Sequence, residues 1–395
     1  MNRVVMKFGG SSVATTDKIR DVAQVILNRK KTCDQVVVVL SAMGKTTDNM
    51  IKMAEELSKN PSPRETDLLM STGEMISASL MAIHFKSLGI DSVALTGFQA
   101  GIKSVGSHRK SKIDSIEPQR IVDELRAGKI VIVTGFQGIN ASGDITTLGR
   151  GGSDTSAVAL AAVLGADCEI YTDVKGIYTV DPRVRKHAKK IDQLTYEETL
   201  EMANLGAKVI EPRSVAMAER FAVPLYIALN TGDVEGTYIR KEDDMEKNVI
   251  TNISKKDNVL LTIVNESFGK ESRITECLKN LADGDVNIDM ISHARDKEGN
   301  QIISFTTDLA SKALVEEILS TMEMDFEVVV NLSKVSLIGS AMRNQVGVAA
   351  RAFGVLHDEK IEYYEVSTSE ISISYLVDVD KENQLVNAFA DEFNL

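Results

Sequence analysis

The segment Thr147–Asp154 carries the densest set of anion-binding groups in the chain and reads TLGRGGSD. Its glycines allow the backbone to approach a ligand closely. Ser153 or Asp154 can cap the helix predicted over Thr155–Leu164, whose first amides and positive dipole end favour anions. Arg150 adds a planar fork that fits a carboxylate or a phosphate. The segment predicts an anion site, with an ordinary tight turn as the alternative.

A second candidate phosphate site lies near the N-terminus. Lys7 lies near the end of the predicted strand Val4–Phe8, which is followed by Gly9, Gly10 and Ser11. An ammonium in a buried strand requires a negative partner, and beside a glycine-rich turn a phosphate would serve. The alternative is a lysine at a strand end that reaches solvent.

A third loop, residues 41–47, reads SAMGKTT and contains the triplet Gly-Lys-Thr. A P-loop requires glycine where Val39 stands, so this motif is excluded. The hydroxyls of Ser41 and Thr47 remain available as donors to a bound anion.

Two acidic segments complete the candidates. Glu74 follows Ser-Thr-Gly and is predicted to begin a helix, where the dipole would stabilise its carboxylate. Residues 171–183 read YTDVKGIYTVDPR. There Asp173 and Asp181 could contact a ribose or a metal-bound water, Tyr178 an adenine ring and Arg183 a phosphate. Ordinary loop chemistry is the alternative for each of them.

Composition narrows the class of protein. The chain has 395 residues and a net charge of −12, which argues against nucleic acid and anionic membranes as partners. Its three cysteines lack metal-type spacing and indicate a reducing compartment. Neither a secretory leader nor a membrane span is expected, so we predict a cytoplasmic protein. No nucleophile triad is apparent, which favours phosphoryl transfer, where catalysis rests on positioning and charge neutralisation.

The elements that must position these loops alternate between strands and helices over residues 1–240. This alternation predicts an α/β fold with a mainly parallel sheet covered on both faces. Ligands of such sheets bind beyond the carboxyl ends of the strands, where the loops 9–12, 41–47 and 149–154 fall.

A charged linker is predicted over 241–254, followed by a duplicated βαββαβ unit over 255–330 and 331–395. The duplication rests on NIDMIS (287–292) and EYYEVS (362–367), which occupy corresponding places. Within these repeats we predict strands at Val286–Ser292, Glu327–Val330 and Val335–Ile338. Two unrelated α+β pieces are the alternative.

The ordered set of motifs resembles that of the aspartokinases. It comprises KFGGSS (7–12), SAMG (41–44), STGE (71–74), TLGRGGSD (147–154), YTDV (171–174), DPR (181–183), GAKV (206–209) and VSTSEI (366–371). The resemblance implies an amino-acid-kinase three-layer αβα sandwich with C-terminal tandem ACT domains. It also implies ATP-dependent phosphorylation of the side-chain carboxylate of L-aspartate to 4-phospho-L-aspartate, the first step of lysine, threonine and methionine biosynthesis.

The resemblance also implies roles for individual residues. Lys7 and Asp154 would be catalytic. Aspartate would be bound by Thr47, Glu74, Arg150, Gly151 and Ser153. ATP would be bound by Lys7, Gly9, Gly10, Ser11, Ser41, Thr172, Asp173, Tyr178, Asp181, Arg183 and Lys208. Mg²⁺ would accompany ATP, held by phosphates and waters without a cage of protein ligands.

Regulation by amino acids is implied as well. Lysine, threonine or both would bind the ACT repeats at Glu266, Asn287, Ile288, His293, Ser367 and Thr368. The repeats would pair the chain into a homodimer or higher oligomer, and the resemblance allows an ACT-only subunit made from an internal start.

The chain departs from the family pattern at several positions. Glu211 replaces a usual histidine, which puts one nucleotide-side contact in question. Residues 265–269 (NESFG), His293 and Val346 differ in the effector loops. A kinase of glutamate or of another free amino acid, and a catalytically silent amino-acid sensor, are the alternative functions.

Overall fold

The computed structural model describes residues 2–207, 209–241, 248–266, 273–295, 297 and 299–395. The chain forms two compact units. The first comprises Met1–Tyr178, Lys190–Asn204 and Lys208–Met245, and the second comprises Thr179–Lys189, Leu205–Ala207 and Glu246–Leu395. Two short segments of the predicted catalytic domain, 179–189 and 205–207, thus belong to the second unit.

The first unit is α/β. Its strands are β1 (Arg3–Phe8), β2 (Gln35–Leu40), β3 (Ser92–Leu95), β4 (Ile102–Val105), β5 (Lys112–Ile116), β6 (Ile130–Thr134), β7 (Gln137–Ile139), β8 (Ile145–Thr147), β9 (Asp167–Thr172), β10 (Gln193–Leu194), β11 (Leu225–Leu229) and β12 (Thr237–Ile239). Its helices are α1 (Thr16–Lys30), α2 (Thr46–Leu57), α3 (Pro63–Ser87), α4 (Gln119–Arg126), α5 (Gly152–Leu164), α6 (Tyr196–Asn204) and α7 (Pro212–Phe221).

The large sheet of this unit has the order β10-β12-β11-β9-β1-β2-β6-β3. Its central strands pair in parallel, and only β11 with β12 is antiparallel in the described ladders. Every residue of β2 and β6 is buried, because both faces of a parallel sheet are covered, and their sequences are accordingly apolar except for Gln35 and Thr134. The predicted mainly parallel sheet is confirmed. A smaller sheet has the order β5-β4-β7-β8.

The register of the central strands brings two of the candidate loops, 9–12 and 41–47, to one edge, whereas the loop 149–154, expected at the same edge, follows β8 of the smaller sheet. Phe8, at the end of β1, lies opposite Leu40 of β2 and Tyr171 of β9. Leu40 in turn lies opposite Thr134 of β6. The segments after β1, β2, β6 and β9 therefore leave the sheet side by side.

Helix α3 is longer than the sequence indicated. It begins at Pro63, which suits the first helical position, and runs for 25 residues without a break. The prediction that Glu74 begins a helix is wrong, since Glu74 lies in its interior. The expectation that nothing approaches a membrane span also fails on length and composition, although half of the most apolar window of α3 is buried, as in a core helix.

The second unit is built on one six-stranded sheet of order β14-β15-β13-β16-β18-β17 in the described residues. Its strands are β13 (Asn252–Glu266), β14 (Ile291–Arg295), β15 (Gln301–Asp308), β16 (Asp325–Ile338), β17 (Glu365–Thr368) and β18 (Ser372–Asp378). Its helices are α8 (Ile274–Asp283), α9 (Lys312–Thr321), α10 (Val348–Asp358) and α11 (Glu382–Glu392). One apolar core lies under α8 and α9, and another under α10 and α11.

The two repeats share their long strands. The predicted strands Glu327–Val330 and Val335–Ile338 are parts of the single strand β16, and the strand predicted from Val286 begins only at Ile291. Residues 252–256 of β13, mostly assigned to the linker, pair with 334–338 beside β18. The sheet of the second repeat thus includes residues 252–256, which precede the first repeat in sequence. A linear division of the repeats at 330/331 does not describe this arrangement.

Candidate active site

A cavity of about 670 Å³ opens at the strand ends of the first unit. Arg109 and Phe136, which the sequence analysis did not single out, line it. So do many of the predicted site residues, namely Lys7, Gly9, Gly10, Ser41, Thr47, Glu74, Arg150, Gly151, Ser153 and Asp154. The structure therefore brings the three loops of the sequence analysis into one cavity.

Lys7 and Asp154 form an ion pair in this cavity. Lys7 Nζ lies 2.6 Å from Asp154 Oδ1, and each side chain is 12% exposed. Lys7 comes from the end of β1, and Asp154 from the first turn of α5. A carboxylate this close fixes the direction of the lysine side chain. The ammonium also lies over Gly9, where an added Cβ would be 3.5 Å from Nζ.

The turn after β1 packs closely against the loop after β2. Gly44 N donates to Gly10 O at 3.0 Å, and Ser41 N donates to Phe8 O at 3.2 Å. A Cβ at Gly10 would lie 2.7 Å from Ala42 O, so only glycine fits there without displacing backbone. Residues Gly10–Val13 form a single 3₁₀ turn. The close approach leaves backbone exposed to the cavity without intervening side chains.

The glycine-rich segment enters α5 through its backbone. Gly151 occupies the N-cap position with φ of 62° in the left-handed region, and Thr155 N donates to its carbonyl at 3.1 Å. No side chain caps the helix, so the predicted capping by Ser153 or Asp154 is wrong. Both residues lie inside the first turn and are largely buried. Their side chains line the cavity and do not cap the helix.

Glu74 is a buried carboxylate with one unpartnered oxygen. Its side chain lines the cavity although the residue is only 3% exposed. Oε1 accepts from Ala42 N at 3.1 Å, while Oε2 has no hydrogen-bond partner. Burial raises the pKa of Glu74 to about 7, and the backbone N–H groups of Glu74 itself and of Ala42 oppose this rise. An unpartnered buried carboxylate oxygen suits a cationic ligand group.

Asp67 is a site residue that sequence reasoning missed. It lies on α3 seven residues before Glu74 and is fully buried. Its carboxylate accepts from Thr147 N at 3.0 Å and from Thr147 Oγ1 at 2.7 Å, at the start of the glycine-rich segment. The signal was present in the sequence as an acidic residue on the buried face of an apolar helix.

Glu211, the departure from the family pattern, lies against the glycine-rich segment. A Cβ at Gly151 would be 2.4 Å from Glu211 Cβ and Cγ, so the two residues are in close contact. Burial, followed by the negative charge of Asp154, raises the pKa of Glu211, and the charges of Arg213 and Arg150 oppose this. Glu211, which was expected to affect a nucleotide contact, thus faces the glycine-rich segment Thr147–Asp154, which is also the arginine loop that carries Arg150.

The predicted nucleotide residues after β9 are divided between the two units. In the first unit, Thr172 Oγ1 donates to Asp173 Oδ1 at 3.2 Å, and Tyr178 forms a β-bridge with Lys190. None of these residues lines the cavity described above. The structure therefore does not bring this part of the predicted nucleotide site together with the three loops.

The remaining predicted nucleotide residues lie further along the chain. Asp181 and Arg183 belong to the second unit, where Arg183 Nη2 lies 2.6 Å from Asp181 Oδ2. This ion pair holds the pKa of Asp181 below its usual value. Lys208 lies outside the described residues. The roles of these residues toward a nucleotide stay predictions.

The predicted effector residues all lie in the second unit. Glu266 Oε1 accepts from Arg273 N at 2.8 Å, and His293 Nε2 lies 3.0 Å from Gln301 Oε1. Asn287 and Ile288 precede β14 in the segment between α8 and that strand. Ser367 and Thr368 lie on β17.

Although β17 is distant from β14 and β15 in strand order, the two edges meet in space. Glu365, at the start of β17, accepts from Ser304 Oγ of β15 at 2.6 Å and also from Ser292 Oγ of β14. The two predicted effector segments are thereby connected through Glu365.

Comparison with known proteins places the chain in a family. The model of the amino acid kinase family matches residues 2–229, and that of the ACT domain matches residues 335–393. Aspartokinase 2 of Bacillus subtilis (strain 168) is 41% identical over 401 residues, covering 100% of this chain and 98% of the relative. The aspartokinase of Geobacillus stearothermophilus is 43% identical, covering 96% and 94%. The chain belongs to the aspartokinase family.

Solved structures of the family agree with this assignment. E. coli aspartokinase III in complex with aspartate and ADP (R-state) superposes with a TM-score of 0.83 at 26% identity, covering 99% of this chain and 100% of that one. The same enzyme in complex with lysine and aspartate (T-state) gives 0.79 at 26% identity, with 99% of each chain covered. This member of the aspartokinase family is therefore an aspartate kinase that uses a nucleotide and is allosterically regulated, on an amino-acid-kinase fold with a C-terminal ACT region.

Proposed function

We propose that the cavity of the first unit binds L-aspartate and ATP together and forms 4-phospho-L-aspartate and ADP. The observation that carries this proposal is the convergence of Lys7, Asp154, Glu74 and Arg150 on one cavity. These groups supply two cations for anionic substrates, a carboxylate for an ammonium and a carboxylate that orients a lysine. Such a set matches an amino acid as acceptor and a phosphate chain as donor.

The α-groups of aspartate would be bound by opposite charges. Arg150 would clamp the α-carboxylate through its planar fork, and Oε2 of Glu74, which lacks a partner, would accept from the α-ammonium. Thr47, Ser153 and the backbone of Gly151 line the same cavity and would complete the polar contacts. An N-acylated amino acid would leave Glu74 without its cation, so a free amino acid is favoured.

In the chemical step, an oxygen of the side-chain carboxylate attacks the γ-phosphorus of ATP. The bond between that phosphorus and the β,γ-bridging oxygen breaks, and ADP leaves with the electron pair. The attacking carboxylate is ionised at neutral pH, so no general base is required. Lys7 would neutralise charge on the transferring group, and Asp154, 2.6 Å away, would hold the ammonium in place.

The nucleotide would lie along the turn of Gly9, Gly10 and Ser11, with Thr172, Asp173 and Tyr178 of the first unit toward its ribose and base. Among the residues that the structure describes, no three His, Cys, Asp or Glu side chains converge as a metal cage. We therefore propose that Mg²⁺ arrives as part of the substrate, held by phosphate oxygens and water, and neutralises phosphate charge there.

Regulation is proposed to act through the second unit. Lysine or threonine, singly or together, would bind at the segments around Glu266, Asn287, His293 and Ser367. The lysine complex of E. coli aspartokinase III supports lysine as one effector. We further propose a homo-oligomer formed through the ACT repeats, with an ACT-only subunit as a companion. We place the protein in the cytoplasm, at the first step of lysine, threonine and methionine biosynthesis.

The test is an ATP-dependent hydroxamate assay with aspartate, glutamate and N-acetylglutamate as separate acceptors. We expect hydroxamate from aspartate alone, in amounts matching ADP release. If glutamate is phosphorylated and aspartate is not, the substrate is glutamate and the proposal is wrong. If no acceptor is phosphorylated, the result favours an amino-acid sensor.

A further inference from the structure

Asp67 is a heavily hydrogen-bonded acidic group beside the cavity, and the proposed mechanism does not use it. Besides Thr147 N and Oγ1, its carboxylate accepts from Arg109 N at 3.0 and 3.2 Å, and its Oδ2 lies 3.0 Å from His108 Nδ1. The residue has no exposed surface. One side chain thus joins α3, the turn at 108–109 and the end of β8.

These bonds bear on the position of Arg150. Thr147 opens the segment that carries Arg150 three residues later. Its carbonyl accepts from Ser111 N at 3.1 Å, which ties the segment again to the turn that Asp67 holds. Arg109, one of the residues bonded to Asp67, has φ of 68°, a left-handed conformation that is unfavourable for arginine and requires support.

Arg213 of α7 also binds both the turn around Ser111 and the start of the arginine loop. Its Nη1 donates to Ser111 O at 3.2 Å and to Leu148 O at 3.1 Å. The start of the arginine loop is therefore bound to α3 through a carboxylate and to α7 through a guanidinium. Bonds to charged groups are the stronger kind, so this part of the loop is well fixed.

Asp67 and Glu74 lie two helical turns apart on α3, about 10.5 Å along its axis. At a spacing of seven residues both side chains point to the same face of the helix. The residue proposed to receive the substrate ammonium and the residue that holds the arginine loop thus belong to one rigid element. A shift of that loop relative to α3 would change the distance between Arg150 and Glu74.

We infer that Asp67 is a positioning residue for aspartate recognition, which sets the place of Arg150 relative to Glu74 through its bonds to Thr147 and Arg109. The inference rests on the proposed roles of Arg150 and Glu74. It predicts that Asp67 acts on the aspartate requirement and not on the nucleotide requirement. It also predicts that its effect passes through Arg150.

The experiment is a double-mutant cycle of Asp67→Asn and Arg150→Ala in the full chain, with KM for aspartate and for ATP measured separately. The asparagine substitution keeps the size of the side chain but replaces one acceptor oxygen with an amide donor that faces other donors. We expect Asp67→Asn to raise KM for aspartate roughly tenfold and to leave KM for ATP within about twofold. In the Arg150→Ala background the same change should add less than about twofold.

A matched control separates positioning from general loss of stability. Glu198 is also buried in the first unit and accepts from Thr195 N and Oγ1 at 3.2 and 3.1 Å, but it does not line the cavity. Glu198→Gln should lower the melting temperature without changing the KM for aspartate. If Asp67→Asn does not fold, Thr147→Val removes the bond from Thr147 Oγ1 alone and should raise the KM for aspartate a few-fold.

The outcomes distinguish this inference from the proposed function. If Arg150→Ala itself leaves the KM for aspartate unchanged, the proposed clamp is wrong. If Arg150→Ala raises it while Asp67→Asn does not, or if the two effects multiply, the positioning role of Asp67 is refuted and the clamp stands. Equal increases in both KM values with Asp67→Asn would also refute the inference.

Discussion

Replacing Glu74 with glutamine should stabilise the ligand-free protein at alkaline pH. Glu74 is 3% exposed, and its Oε2 has no hydrogen-bond partner. Burial raises the pKa of this carboxyl from 4.5 to about 7, because the charged form is poorly solvated. The ionised carboxylate is therefore a cost to the folded state, and a neutral amide of the same size avoids that cost.

The sign and size of the effect follow from linkage between ionisation and folding. A folded-state pKa above the unfolded value means that the folded state binds the proton more tightly, so stability falls as pH rises from 4.5 to 7. A difference of about 2.5 between the two pKa values corresponds to roughly 3 kcal/mol at pH values above 7. About 2 kcal/mol of this is lost between pH 5.5 and 8.5.

The assay is denaturant unfolding of the wild type and Glu74→Gln at pH 5.5 and pH 8.5, without ligands. We expect the free energy of unfolding of the variant, relative to the wild type, to rise by about 2 kcal/mol from the lower pH to the higher. Glu124→Gln is the control. Bonds from Lys129 hold the pKa of Glu124 below its usual value, so its difference from the wild type should be constant over this range. A constant difference for Glu74→Gln as well would refute the assigned pKa.

The same ionisation should govern aspartate binding. At pH 6 only about one-tenth of Glu74 would be ionised, so the wild type should bind aspartate about tenfold more weakly than at pH 8. Calorimetric titration at pH 6 in buffers of different ionisation enthalpy should show release of close to one proton per aspartate bound. Binding without proton release would mean that the ammonium does not meet Glu74.

Three further substitutions test the remaining parts of the site. Arg150→Ala should raise the KM for aspartate at least about tenfold and leave the KM for ATP nearly unchanged in steady-state assays, and equal effects would contradict the clamp. Lys7→Ala should lower kcat on the order of 100-fold, and an unchanged kcat would exclude its role in charge neutralisation. Gly151→Ala places a Cβ 2.4 Å from Glu211 at φ of 62°, so it should raise the KM for aspartate. Adding Glu211→Gly, which removes both the Cβ and the Cγ that the new methyl would meet, should recover part of that loss, whereas no recovery would show that backbone strain alone is responsible.

The loops of the site were predictable because their chemistry is local. Ligands of parallel sheets bind beyond the carboxyl ends of the strands, and Lys7 and Ser41, at the ends of β1 and β2, follow this rule. Arg150 follows β8 of the smaller sheet, and its glycine-rich segment was recognised from its own residues. Short apolar runs likewise predicted the buried strands β1, β2 and β6, since each contains at least three consecutive apolar residues. The catalytic roles of Lys7 and Asp154 were inferred from a family resemblance, because nothing local joins residues so far apart in sequence.

The predicted strand boundaries were wrong where pairing with distant strands extends a strand beyond the residues that favour it locally. β16 continues through Asn331 at φ of 63°, a conformation that suggests a turn when only the sequence is considered. Pairing with β13 on one side and with β18 along residues 332–338 holds the chain as one strand. Long-range hydrogen bonds thus outweigh a local preference for a break.

Glu74 and Asp67 were misjudged or missed for a common reason. Each is an acidic residue whose properties depend on burial, and burial depends on which face of α3 packs against the sheet. A short window suggested a helix start at Glu74, but the helix begins at Pro63, and this moves Glu74 from an exposed N-terminus to a desolvated interior. The same helix continues back to Asp67 and buries it beside Thr147. The packing of α3, and not the residue type, gives these carboxyl groups their roles. Substitutions that alter how α3 packs against the sheet should therefore change aspartate binding, even where no residue that contacts aspartate is replaced.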